Sequence, residues 1–121
     1  MSAPELAYPE LAYKVLTDAE MRAFERDGVF AGSEVDRRDG YIHLSTCEQL
    51  TETVDKHFAG QDDLWTVAVD MSAHGDKLRW EPSRGDQLFP HLYEPMRLDA
   101  VTAYSRLQRN DDGGVRLPVA G

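Results

Sequence analysis

Two tetrads of one form fix where helices can begin in this chain: Thr17-Asp18-Ala19-Glu20 and Ser45-Thr46-Cys47-Glu48. In each, a hydroxyl side chain covers a free N–H of the first turn while the glutamate three places on reaches back. After the first tetrad, Met21, Ala23 and Phe24 supply an inward stripe and Glu20, Arg22, Glu25 and Arg26 face water. Gly28 then ends an element of about ten residues in a left-handed conformation. After the second, Leu50, Val54 and Phe58, spaced by four, predict a helix over 46–58 closed by Gly60.

The remainder reads as short strands. Residues 11–16, 41–44, 64–69 and 78–81 alternate or carry β-branched and aromatic side chains, and 96–109 reads as one or two more. Residues 29–39, with Gly32, Ser33 and the cluster Asp36-Arg37-Arg38-Asp39, have no clean period and predict a surface loop with a short strand at best. Pro90 and Pro95 bracket an extended segment and deny it continuous ladder pairing. So few helices cannot cover both faces of a large parallel sheet. The expectation is a single α+β domain with a small, mostly antiparallel or split sheet and two main helices. Residues 4–13 write Pro-Glu-Leu-Ala-Tyr twice in tandem, too short a unit for a solenoid. The expected division is a flexible N-terminal arm over 1–10, the domain over 11–109, and a C-terminal tail or edge strand over 110–121.

Charge excludes several function classes. Lys and Arg number 13 against 22 Asp and Glu, a formal net charge of −9. So acidic a surface repels nucleic-acid backbones and anionic leaflets, and no apolar run approaches the roughly 20 residues that span a bilayer. With no leader pattern at Met1, the expected compartment is the cytoplasm. The lone Cys47 makes neither an internal disulfide nor a thiolate zinc site, and Glu48 beside it disfavours a thiolate nucleophile. No Gly-x-Ser-x-Gly elbow, dinucleotide fingerprint or Walker loop is present.

Of the four histidines, His57 reads as a cation at a helix C-terminus and His74 as a solvated loop residue. His43 and His91 differ, each sitting among apolar and aromatic residues in an extended segment. Two-residue alternation places His43 with Ser45, and His91 with Tyr93, on common faces, and Ser45 adjoins a helix N-terminus that favours anions. A core histidine satisfied by one backbone partner is the plainer reading of either taken singly; the pair together suggests a pocket with two imidazoles, a phenol and a hydroxyl. His43 and His91 with Asp36, Asp39 or Glu81 would make a two-His, one-carboxylate metal set, but no ligand spacing supports it and no metal is expected. Trp80 reads either as core or as a pocket wall. Arg84 either pairs with Glu81 across a turn or grips a phosphate or carboxylate at the pocket mouth.

Asp36-x-x-Asp39-Gly40-Tyr41-Ile42-His43-Leu44-Ser45-Thr46, Gln49-Leu50, Arg79-Trp80-Glu81 and Phe89-Pro90-His91-Leu92-Tyr93 together resemble the bacterial and plant family DUF952, over about Tyr13 to Tyr104. That resemblance implies an α+β fold similar to ADP-ribosyltransferases, which bind NAD in a cleft between two small sheets. In that superfamily an early-strand His followed by Ser or Thr contacts the nicotinamide ribose, and a later strand adds an aromatic or second His. His43 with Ser45 or Thr46 matches the first feature, and His91 or Tyr93 the second. The late-strand glutamate of many toxin-type transferases has no counterpart over 100–107, where Glu81 and Glu94 are the nearest carboxylates.

The expected function is therefore a cleft for NAD, ADP-ribose or a related nucleotide, with transfer or cleavage at the N-glycosidic bond. His43, His91 and Glu81 are the expected catalytic groups, and Asp36, Ser45, Thr46, Trp80, Arg84 and Tyr93 the ligand contacts. The alternative is a non-enzymatic module that holds a small metabolite or a peptide from a partner protein.

Overall fold

Tyr13 stands where two small sheets meet. Along the chain run β1 (Leu11–Thr17), α1 (Asp18–Asp27), β2 (Val29–Phe30), α2 (Glu34–Asp39), β3 (Ile42–His43), α3 (Cys47–His57), β4 (Leu64–Asp70), β5 (Leu78–Pro82), β6 (Leu88–Leu92), β7 (Met96–Arg97) and β8 (Val101–Arg106). The computed structural model describes residues 10–119, the side chain of Arg84 excepted; the first copy of the tandem pentapeptide lies outside them. One antiparallel sheet has the order β1-β4-β8, a second β3-β6-β5, and β2 pairs with β7. Tyr13 and Ser45 exchange backbone hydrogen bonds of 2.7 and 2.9 Å, so the chain just past β3 ties the edge of the first sheet to the second. The class is α+β and the pairing antiparallel, as expected.

β1 is buried on both faces because its alternation feeds two cores. Ala12 and Leu16 pack with Met21 and Phe24 of α1, whereas Tyr13 and Val15 pack with Leu50 and Val54 of α3. A helix thus covers each face of the first sheet, and burying Phe24 or Leu16 contributes about 1.5–3 kcal/mol each. The tail turns at Asn110 and returns to bridge Arg109 with Val115, which packs in the α3 core. Among the described residues, no helix is long and apolar enough to cross a membrane.

Four expectations need correction. The second tetrad is displaced by one place: Thr46, not Ser45, caps α3, and Gln49 rather than Glu48 closes the box, since glutamine serves at that position equally well. That helix stops at Phe58, and Gly60 (φ 78°) belongs to the turn beyond it. Residues 29–39 also hold α2, capped by a reciprocal box of Ser33 and Asp36, in addition to the short β2. Six residues are too few to show a period, and the buried residue of α2 is the charged Asp36.

Pro90, finally, lies inside β6, which pairs continuously with β5 as the central strand of its sheet. The carbonyl of Pro90 accepts from Leu44 N–H, so its missing N–H is directed to the β3 side. There β3 has already ended, and the β5 ladder loses nothing.

Gly32 has φ +112°, and a Cβ there would stand 2.9 Å from the Asp36 Cβ. Gly32→Ala is therefore expected to destabilise the fold by about 1–3 kcal/mol through strain and displacement of α2. Urea unfolding checks it: the midpoint falls with the slope unchanged, whereas an unmoved midpoint means that α2 tolerates the shift.

Candidate functional site

The register of β3 on β6 sets His43 directly opposite His91. Because the neighbouring pair, Leu44 and Pro90, is the hydrogen-bonded one, His43 and His91 form a non-hydrogen-bonded pair, the type in which side chains approach most closely. Their ring centroids are 5.6 Å apart, edge to face. Alternation along each strand adds Tyr41 beside His43 and Tyr93 beside His91, and the β5–β6 register adds Arg79 and Glu81. Tyr41 stacks on His91 at 4.1 Å and touches His43 and Tyr93 at 4.7 and 5.3 Å.

Each imidazole has its own carboxylate. His43 Nδ1 lies 2.6 Å from Asp36 Oδ1, and its Nε2 lies 3.0 Å from Asp39 Oδ2. Asp36 sits at the start of α2, 2% exposed, and also accepts from Ser33 N–H, His43 N–H and Lys14 Nζ. Burial pushes its carboxyl up, but the His43 hydrogen bond, the Lys14 charge and the Ser33 N–H outweigh that and hold it far below the usual carboxylate range.

His91 is 2% exposed, and its Nδ1 lies 2.8 Å from Glu81 Oε1, which also accepts from Tyr93 Oη at 2.7 Å. The Tyr93 hydroxyl and then His91 hold the Glu81 carboxyl below its ordinary value, and Glu81 in turn holds the Tyr93 phenol above its own. Burial first, then the Asp39 and Glu81 charges, raise the Tyr41 phenol. Near neutral pH the face thus carries ionised carboxylates and protonated phenols. His91 Nε2 is buried under its neighbours with no hydrogen-bond partner among the described residues.

Asp36, His43, Glu81, His91 and Tyr93 are brought together. Other expected members are not. The Ser45 hydroxyl meets Thr53 at 3.0 Å, because its strand has ended and its backbone pairs with Tyr13. Thr46 Oγ1 is taken by the helix cap. Trp80 pairs with Pro90 and so lies on the opposite face from Glu81 and His91. The Arg84 side chain lies outside what is described. His74, expected in solvent, is 4% exposed with Nδ1 2.6 Å from Glu94 Oε2, because a 3₁₀ turn over Met71–Lys77 folds it inward.

Tyr41, Arg79 and Lys14 escaped the sequence reading as members of this face, and Asp39 entered it only as an optional carboxylate of a metal set. Tyr41 and Arg79 were reachable by counting two residues back from His43 and Glu81; Lys14 comes from a distant strand and gave no local signal. Among the described residues, no three His, Cys, Asp or Glu side chains are arranged to hold a metal ion. A depression of about 400 Å³ between α1, β2 and α2 includes none of the histidines.

A family model described as a protein of unknown function, DUF952, matches residues 15–104. The chain belongs to this family. The DUF952 match runs from β1 to β8 and so includes both histidines, Asp36, Glu81 and Tyr93. The crystal structure of protein CC0527 from Caulobacter crescentus is 45% identical and covers 88% of this chain and 93% of its own, with a TM-score of 0.80. The solution NMR structure of CC0527 is 47% identical over 87% of this chain and 90% of its own, with a TM-score of 0.74. No curated protein matches the chain.

Proposed function

We propose that the face built from Tyr41, His43, His91, Tyr93 and Glu81 binds NAD, ADP-ribose or a related nucleotide in an ADP-ribosyltransferase-like cleft. The reaction would be transfer or cleavage at the N-glycosidic bond. One observation carries this reading: two register-paired imidazoles beside a carboxylate that His91 and Tyr93 fix in its ionised form. Opening a nicotinamide glycosidic bond leaves positive charge on the ribose, and a fixed carboxylate stabilises it. Both hydrogen bonds to Glu81 go to Oε1, leaving Oε2 for the sugar.

As the C1′–N bond breaks, its electron pair leaves on nicotinamide. Water or an acceptor hydroxyl attacks C1′, and its proton passes to an imidazole, for which His91 Nε2 is the unpartnered nitrogen. The Tyr41 ring stacks on that imidazole, so a ligand reaches Nε2 by displacing it. A second reading has its own support. Both ring nitrogens of His43 are engaged by Asp36 and Asp39, which suits a non-enzymatic module for a small metabolite or partner peptide.

Thermal-shift and NMR titrations with NAD and ADP-ribose, with nicotinamide release followed in the same samples, test the proposal. Ligand at about 100 times its Kd adds roughly 2.7 kcal/mol to wild-type stability. His43→Ala is expected to lose that shift and any release. Absence of binding to the wild type overturns the nucleotide reading.

A further inference from the structure

Arg79 is exposed on the histidine face, directly opposite His91 in the β5–β6 register. Every other arginine whose side chain is described lies within ion-pair or hydrogen-bonding distance of a carboxylate or carbonyl oxygen. Among the described residues Arg79 meets no such oxygen at that distance: its guanidinium rests over the Tyr93 ring, 5.1 Å from the centroid, with the Glu81 charge near enough for Arg79 to lower that carboxyl. In a chain of net charge −9, acceptor oxygens are abundant, and an arginine left without any is conspicuous.

The stack explains how it is kept available. Tyr93 is itself anchored through its hydroxyl to Glu81, so the ring is a fixed platform. A guanidinium lying on an aromatic face keeps its N–H donors in its own plane, free for two parallel bonds to an oxyanion. Glu81 shares its Oε1 between Tyr93 and His91, and it acts on Arg79 through charge alone, with no hydrogen bond between the two. On the same face His91 Nε2, in a residue 2% exposed, is a second polar group without a partner. Two unmet hydrogen-bonding groups on paired strands point to a ligand that supplies both complements.

We propose that Arg79, held by Tyr93, is the subsite for a phosphate group of the ligand, placing the rest of the molecule across His91 and Tyr41. That the phosphate belongs to a dinucleotide or ADP-ribose rests on the preceding reading; the anion subsite itself does not. The planar fork, beyond its charge, does the recognition, so lysine is a poor replacement.

The experiment follows the Arg79 side-chain N–H and Tyr93 ring resonances by NMR during titration with inorganic pyrophosphate, ADP-ribose and nicotinamide riboside. Wild type, Arg79→Met and Arg79→Lys are compared. Pyrophosphate and ADP-ribose are expected to shift both sets of wild-type resonances. Arg79→Met should weaken ADP-ribose about tenfold to a hundredfold, leave nicotinamide riboside unchanged and abolish the pyrophosphate response, with Arg79→Lys recovering only part. Equal ADP-ribose affinity in wild type and Arg79→Met overturns the subsite and leaves the nucleotide reading standing. Pyrophosphate binding lost in Arg79→Met, with neither nucleotide bound by wild type, keeps the subsite and removes the nucleotide reading. No response to any probe overturns both.

Discussion

Asp36→Asn is expected to lower the melting temperature by about 10–20 °C, the equivalent of roughly 3–5 kcal/mol in a domain of this size. Asparagine matches the shape of aspartate, so the loss is electrostatic. Lys14, only 11% exposed, loses the counter-charge 2.9 Å from its Nζ, and an amide NH2 replaces one of the two oxygens that accept from Lys14, Ser33 and His43. Breaking one side of a buried ion pair strands the other charge, whereas replacing both sides is far milder. Lys14→Met in the Asp36→Asn background should accordingly recover part of the lost stability. A single Asp36→Asn variant that melts within a degree or two of wild type refutes this account of the cluster.

The acid limb gives an independent check. The folded Asp36 carboxyl lies below its unfolded value of about 3.9, so its contribution is fully present above that pH. It is lost progressively as pH falls toward the folded value. Wild-type unfolding free energy should therefore decline through that range, and the decline should be shallower in Asp36→Asn.

How far such a hub was legible depends on the kind of signal each residue leaves. α1 could be read to its last residue because Thr17, Glu20 and Gly28 act through bonds within the helix itself. α3 was legible as an apolar stripe, yet its start slipped by one residue because Ser45 and Thr46 are both competent caps and only tertiary pairing decides between them. α2 was invisible for the reason that makes it matter: its inward residue is Asp36, which in sequence sits within a cluster that reads as solvated charge. The face of His43 was extended the wrong way, toward Ser45, since alternation holds only while the strand continues, and Tyr41 on its other side was not counted. That His43 meets His91 at all is a matter of register between strands separated by α3, β4 and β5, and no local spacing encodes it. His74 shows the converse error, a polar sequence neighbourhood around an imidazole that the fold buries against Glu94.

The other large effect separates catalysis from binding. Glu81→Gln is expected to cut nicotinamide release by about 10²–10⁴-fold, the range associated with removing a positioned acid–base group, while ADP-ribose affinity stays within about threefold. Glutamine retains an oxygen where Tyr93 Oη and His91 Nδ1 now bond, so the face keeps its shape. What it removes is the negative charge that, on the nucleotide reading proposed above, faces the ribose as the glycosidic bond opens. The Tyr93 and His91 hydrogen bonds hold the Glu81 carboxyl below its ordinary value, so the wild-type rate should not fall through loss of this group until pH drops below about 4.3. Equal release by wild type and Glu81→Gln would remove the carboxylate from the chemistry and leave the imidazoles to account for it. Nucleotide binding by both proteins, with no release from either, assigns the same face to a binding module in which Glu81 only orients His91 and Tyr93.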